Sequence, residues 1–174
     1  MAIPAMAPYP KFEGEGVITF EDRDVPNAGP GQLLLACKAN ALCASDLGSY
    51  YQGNDVSIGH EIAGVVVQAG ADTKIKPGTP GVVFLMDFCG QCRSCQHGRT
   101  NQCLHKRADY GFNRDGGYGP YALISETVFF PVDTDIPLDQ ATMLLDIMGT
   151  GGHAISRGCL VHPDPGSLLV TGAG

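Results

Sequence analysis

The stretch Cys89-Gly90-Gln91-Cys92-Arg93-Ser94-Cys95-Gln96-His97-Gly98-Arg99-Thr100-Asn101-Gln102-Cys103 gathers four thiols in one short polar loop. Thiolates two residues apart can converge on an ion about 2.3 Å away, and four of them complete a tetrahedral zinc site with no open position. Such a closed site is structural. A bacterial ferredoxin shares the C-x2-C-x2-C opening but continues with three residues and Cys-Pro. Here seven residues intervene before Cys103, and Leu104 follows. Disulfides or unligated thiols are the third reading, and His97 and His105 are near enough in sequence to substitute as ligands.

Around this loop the 174-residue chain reads as one domain with ample core-forming content, 44% of its residues being hydrophobic. Seven cysteines are too few for a disulfide scaffold, and without an export signal they favour metal binding or burial. The balance of 11 Lys+Arg against 18 Asp+Glu, formally −7, opposes binding to nucleic acid or an anionic bilayer, since either needs clustered cations. No apolar run approaches the ~18 residues of a membrane span, so a cytoplasmic protein without membrane partners is expected.

The chain alternates short apolar segments with Gly/Pro turns. Strands are expected over residues 17–22, 32–38, 61–68, 82–86 and 121–131, with Pro26-Asn27-Ala28-Gly29-Pro30-Gly31 and Pro77-Gly78-Thr79-Pro80-Gly81 as breaks. This spacing suggests a small barrel or sandwich. Helices are expected over 45–51 and 138–145, the second opened by Pro137 and halted at Gly149, Gly151 and Gly152, with another over 153–157. Ser167-Leu168-Leu169-Val170-Thr171 reads as a buried-type strand and Gly172-Ala173-Gly174 as its turn.

A second constellation lies upstream: Cys43-Ala44-Ser45-Asp46, then Gly59-His60-Glu61. Singly, Cys43 reads as a small buried hydrophobe and His60 as a hydrogen-bonded surface or core residue. Together, in this order and followed by the four-cysteine lobe, they resemble the catalytic domain of the zinc-containing medium-chain dehydrogenase/reductase family, the alcohol dehydrogenase superfamily. The resemblance spans essentially the whole chain. It implies a mainly β fold with short helices: a GroES-like, partly open β-barrel over residues 1–165, a structural-zinc lobe at 87–106, and at 166–174 the first strand of a truncated dinucleotide-binding Rossmann domain.

The same resemblance implies roles for individual residues. Cys43 and His60 look like ligands of a catalytic zinc, Glu61 like the adjacent carboxylate that can bind or release it, Asp46 like the carboxylate that orients the histidine, and Ser45 like the hydroxyl that takes the substrate proton. Where many members carry another cysteine, this chain has Leu145-Asp146-Ile147-Met148-Gly149-Thr150-Gly151-Gly152-His153, similar to the branch that includes zinc formaldehyde dehydrogenases; Asp146 is then the third ligand. A charge among Met143, Leu144, Leu145, Ile147 and Met148 needs a partner. Gly48 stands where many members have the histidine that ends the proton relay, leaving Tyr50, Tyr51 or water as substitutes, while His153 lines the site or the cofactor edge.

Cys89, Cys92, Cys95 and Cys103 would hold the second, structural zinc. Gly172 and Gly174 look like the start of G-x-G-x-x-G, implying NAD or NADP in the parent protein. The implied reaction is reversible hydride transfer between that cofactor and a small alcohol or carbonyl compound. Polar residues of loops 50–54 and 107–119, namely Tyr50, Tyr51, Asn54, Tyr110, Asn113 and Arg114, suit a polyol, amino alcohol or aldehyde hydrate. The parent would be a homodimer or homotetramer, and the 174 residues alone would be inactive. The competing reading is a stand-alone zinc-stabilised binding or regulatory module, although such a module needs only the cysteine lobe.

Overall fold

A computed structural model describes residues 2–164 and 166–171. The chain begins with a hairpin of β1 (Met6–Gly14) and β2 (Val17–Asp24). It continues through β3 (Gln32–Ala41), α1 (Asp46–Gln52), β4 (Glu61–Ala69), β5 (Pro80–Val83) and β6 (Met86–Asp87). After α2 (Arg93–Gln96) come β7 (Ala108–Asp109), β8 (Tyr121–Ser125), β9 (Phe129–Pro131), α3 (Leu138–Ala141) and α4 (Asp146–Val161).

Five strands form one antiparallel sheet in the order β8-β3-β4-β5-β9. Its two edge strands are nearly consecutive in the chain, joined only by the 3-10 turn Glu126–Val128. Fully extended, that link spans about 14 Å. The edges of a flat five-stranded sheet would be about 19 Å apart. The sheet therefore curls until β8 and β9 approach each other, giving a partly open barrel. Leu33, Leu35, Ile62, Val66, Val83, Ile124 and Phe129 are buried together in its core.

The expected strand at 121–131 is thus two strands with a corner between them, and the one at 82–86 is divided between β5 and β6. β1 lies outside the expected strands and carries two prolines, Pro8 and Pro10. They are tolerated because the edge of β1 away from β2 is open apart from a single bridge, Phe12↔Asn54, and two prolines two residues apart both turn their missing N–H toward that edge. Within β1, Tyr9 and Phe12 are buried, one on each face of the hairpin.

The C-terminal region departs furthest from expectation. The helix predicted over 138–145 is a single turn followed by the 3-10 turn Thr142–Leu144, and α4 then runs unbroken through Gly149, Gly151, Gly152 and Gly158. Glycine lowers helix stability by about 1 kcal/mol against alanine, which weakens a helix without forbidding it. Residues 167–171, expected as a strand, carry no strand pairing, and Leu168, Leu169 and Val170 are exposed. An apolar strand needs neighbours on its flanks, and among the described residues none pairs with it. Gly172 and Gly174 lie outside the described residues. Among the described residues no helix is long and apolar enough to cross a membrane.

Candidate metal centres

The four-cysteine lobe rises on a two-stranded stalk of β6 and β7, where Asp87 faces Ala108. Asp87 is buried and accepts hydrogen bonds from Arg107 Nε (3.1 Å) and a guanidinium NH2 (2.7 Å), and from Ser125 Oγ (2.6 Å). Arg107 also donates to the Phe88 carbonyl at 2.7 Å, so one guanidinium ties the two legs of the lobe together while Ser125 anchors them to the barrel.

Above the stalk the chain wraps around its own sulfurs. Sγ separations are 3.5 Å for Cys92–Cys95, 3.6 Å for Cys89–Cys103 and 3.9 Å for Cys92–Cys103. Four sulfurs held about 2.3 Å from one ion in a tetrahedron would be about 3.8 Å apart. The separations exceed the ~2.05 Å of a disulfide, and among the described residues every cysteine is free. Backbone N–H groups point at the sulfurs, from Cys89 to Cys103, from Cys92 to Cys89 and from His105 to Cys103. The N–H groups of Cys95 and Leu104 hold the Cys92 thiol down at about 6, whereas burial pushes Cys95 up to about 12. His97 and His105 are exposed and stand outside this cluster.

The second cluster forms where β3 ends and β4 begins. Pairing of Ala41 with Glu61 sets the two strand ends side by side, so that Cys43, just beyond β3, meets His60 at the mouth of β4. Ligand atoms of Cys43, His60 and Glu61 all lie within 4.8 Å of one another. Asp146, the first residue of α4, brings Oδ2 to 3.4 Å from His60 Nε2. On the other side of the ring, Asp46 Oδ1 lies 3.5 Å from His60 Nδ1. Thr150, one turn along α4, donates to Asp146 Oδ1 at 3.3 Å.

These atoms fit a metal. A thiol, an imidazole and a carboxylate are a zinc donor set that leaves a fourth position open. Glu61 Oε2 is buried with no hydrogen-bond partner among the described residues. Asp46 holds the imidazole up at about 9, and burial, reinforced by Asp146, raises the Glu61 carboxyl. Hydrogen bonding from Ser45, with a smaller contribution from His60, lowers the Cys43 thiol. Ser45 itself is exposed at the start of α1. A Cβ at Gly48 would meet nothing within 4 Å, so the place of the expected relay histidine opens onto free space.

His153 is exposed on α4, two turns beyond Asp146, and is not among the residues brought together here. Several polar side chains expected to face a substrate bond internally instead: Tyr110 donates to Asp87, Asn54 to Ser49, and Asn113 accepts from Asp109 N. Two aromatic residues escaped the sequence reading. The Phe112 ring lies 4.8 Å from that of His60, and Tyr118 donates to Asp46 Oδ2 at 2.8 Å. The loop carrying them is clamped to residues 57–59 by bonds from Gly116 N to Ser57 O, Gly117 N to Gly59 O and Tyr118 N to Ile58 O. A Cβ on Gly116 would sit 2.0 Å from the Gly59 carbonyl, so only glycine permits this approach, and the crowding was the signal hidden behind an ordinary-looking Gly-Gly turn.

The model of the alcohol dehydrogenase GroES-like domain matches residues 29–134. The chain belongs to this family, within the zinc-containing medium-chain alcohol dehydrogenase superfamily of oxidoreductases. It is similar to L-threonine 3-dehydrogenase of Mesorhizobium japonicum, 31% identical over 94% of this chain and 49% of that protein. Among solved structures it resembles acetophenone reductase from Geotrichum candidum in complex with NAD, at 28% identity and TM-score 0.81, over 90% of this chain and 49% of that one. It also resembles a cobalt- and zinc-bound thermostable alcohol dehydrogenase from Pyrobaculum aerophilum, at 28% identity and TM-score 0.72, over 80% of this chain and 44% of that one. The chain spans about half the length of the curated relatives it matches.

Proposed function

We propose that this chain is the zinc-carrying, substrate-binding part of a dehydrogenase that transfers hydride reversibly between an alcohol and NAD or NADP. The observation that carries the reading is the gathering of Cys43, His60 and Glu61 at one point, with Asp146 3.4 Å from His60 Nε2 and the far nitrogen of His60 backed by Asp46. Zinc held by Cys43, His60 and Asp146 would supply Lewis acidity toward an alcohol oxygen. With three protein ligands, a fourth position would be left for that oxygen. Ser45, beside Cys43, accepts the alcohol proton, and Glu61 stands by as an additional carboxylate.

Cys89, Cys92, Cys95 and Cys103 hold a second, structural zinc that stiffens the lobe. Residues 166–174 begin the dinucleotide-binding domain, a reading supported by the Leu168-Leu169-Val170-Thr171-Gly172-Ala173-Gly174 pattern. The 174 residues alone bind zinc but do not oxidise alcohols, and the longer parent is a homodimer or homotetramer. Similarity to L-threonine 3-dehydrogenases supports the amino alcohol among the substrate classes considered, ahead of a polyol or an aldehyde hydrate.

Metal analysis tests the proposal. The wild-type chain is expected to hold about two zinc ions and the His60→Ala variant about one. A wild-type chain with a single ion that disappears in Cys89→Ser would sink the catalytic reading and leave a zinc-stapled module.

A further inference from the structure

We propose that Tyr118 is a positioning residue for the Cys43–His60–Asp146 centre; the inference rests on the metal reading above. The two oxygens of Asp46 do different work. Oδ2 accepts the Cys43 backbone N–H at 3.0 Å and the Tyr118 hydroxyl at 2.8 Å, which leaves Oδ1 to face His60 Nδ1 at 3.5 Å. The carboxylate thereby touches two members of the donor set at once, the backbone of Cys43 and the ring of His60. Its own orientation is fixed by the phenol.

Without Tyr118, the only donor to Oδ2 among the described residues is a backbone N–H three residues away, and the carboxylate can rotate about its terminal bond. Tyr118 also binds the other half of the site, since its N–H donates to the Ile58 carbonyl at 3.1 Å, just ahead of His60. Its ring lies against buried Phe12 with centroids 6.1 Å apart, so the phenol is braced by β1 of the hairpin. One residue thus links the start of α1, the approach to β4 and the N-terminal hairpin. With Nδ1 directed at Asp46, Nε2 is the nitrogen turned toward Asp146. Residues that orient a metal-binding histidine commonly change metal affinity by about 10–100-fold when altered, and Tyr118 acts one contact further out.

The test is cobalt titration of the 174-residue chain and its Tyr118→Phe variant, which keeps the ring and removes only the hydroxyl. The four-cysteine cluster, with its thiolate-to-cobalt charge-transfer bands, reports in the same sample that the variant is folded. The expected result is two cobalt ions in both proteins, with affinity at the mixed site lowered by about 3–10-fold in the variant and its d–d bands shifted, while the all-thiolate bands stay unchanged. Two ions with unchanged affinity and d–d bands at the mixed site overturn the role of Tyr118 alone. A wild-type chain that binds cobalt only at the cysteine lobe overturns the metal reading and this inference together.

Discussion

His60 Nε2 lies 3.4 Å from Asp146 Oδ2, a contact that joins the first turn of an otherwise exposed helix, α4, to the mouth of the barrel just beyond Leu144 and Leu145, which pack against the core. No residue of that helix is buried. Removing the Asp146 charge should therefore disturb the metal centre much more than the fold. The Asp146→Asn chain is expected to keep one zinc ion through dialysis against a weak chelator where wild type keeps two, with its thermal midpoint within a few degrees of wild type. Equal retention of both ions would exclude Asp146 as a ligand.

The pH dependence of metal uptake follows from His60. In the metal-free protein Asp46 holds its imidazole up at about 9, above the ordinary 6.5. The protonated pair stabilises the fold fully below the ordinary value, and that contribution fades as pH rises through the raised one. Zinc needs the neutral ring, so it competes with the bound proton. From this group alone, affinity at the mixed site should rise about tenfold per pH unit and level off near pH 9. Chelator competition between pH 6 and 10 checks this, and Asp46→Asn should move the plateau to lower pH.

The stalk of the cysteine lobe depends on Asp87. Asp87→Asn keeps the shape but withdraws the charge that two guanidinium nitrogens and the Ser125 hydroxyl share. Urea denaturation should show a loss of about 1–3 kcal/mol. Hydrogen exchange should rise first in residues 87–109, and a variant as stable as wild type would show that Arg107 re-solvates freely.

Glycine-to-alanine substitutions should split into two classes. At Gly116 the new methyl would press on the Gly59 carbonyl, costing about 1–3 kcal/mol as overpacking and displacing the segment that leads into His60. At Gly151 or Gly158 a Cβ meets nothing within 4 Å, and alanine in the helix should add about 0.5–1 kcal/mol instead. Thermal melts of the three variants decide the matter, and a destabilised Gly158→Ala would show that α4 is covered in solution.

Much of the site was readable in the linear chain because its chemistry is carried by rare residue types at fixed spacings. Cys43, His60 and Glu61 converge as their order suggested, and so do Cys89, Cys92, Cys95 and Cys103. The parts that escaped depend on long-range contacts or on context overriding propensity. Tyr118 meets Asp46 across 72 residues, with no local pattern to announce it. β1 was missed, and it can hold Pro8 and Pro10 because an edge strand can spare their N–H groups. Four glycines concealed the continuity of α4, since a helix pays for glycine by degrees while a pattern reads it as a stop.

The short link between β8 and β9 also dictates an order of assembly. Because β8 pairs with β3 from Gln32↔Ser125 to Ala36↔Tyr121, the barrel cannot close until everything between them, the cysteine lobe included, has been drawn into a loop. Pairing at such sequence separation is slow, for the chain loses the entropy of closure before it gains the contacts. Four sulfurs gathered early on one ion would shorten that loop in advance, so refolding should be slower in the presence of a chelator even where the final barrel is the same. In this light the lobe is a clasp on the folding chain, hastening a closure whose last strand its own stalk then grips at Ser125.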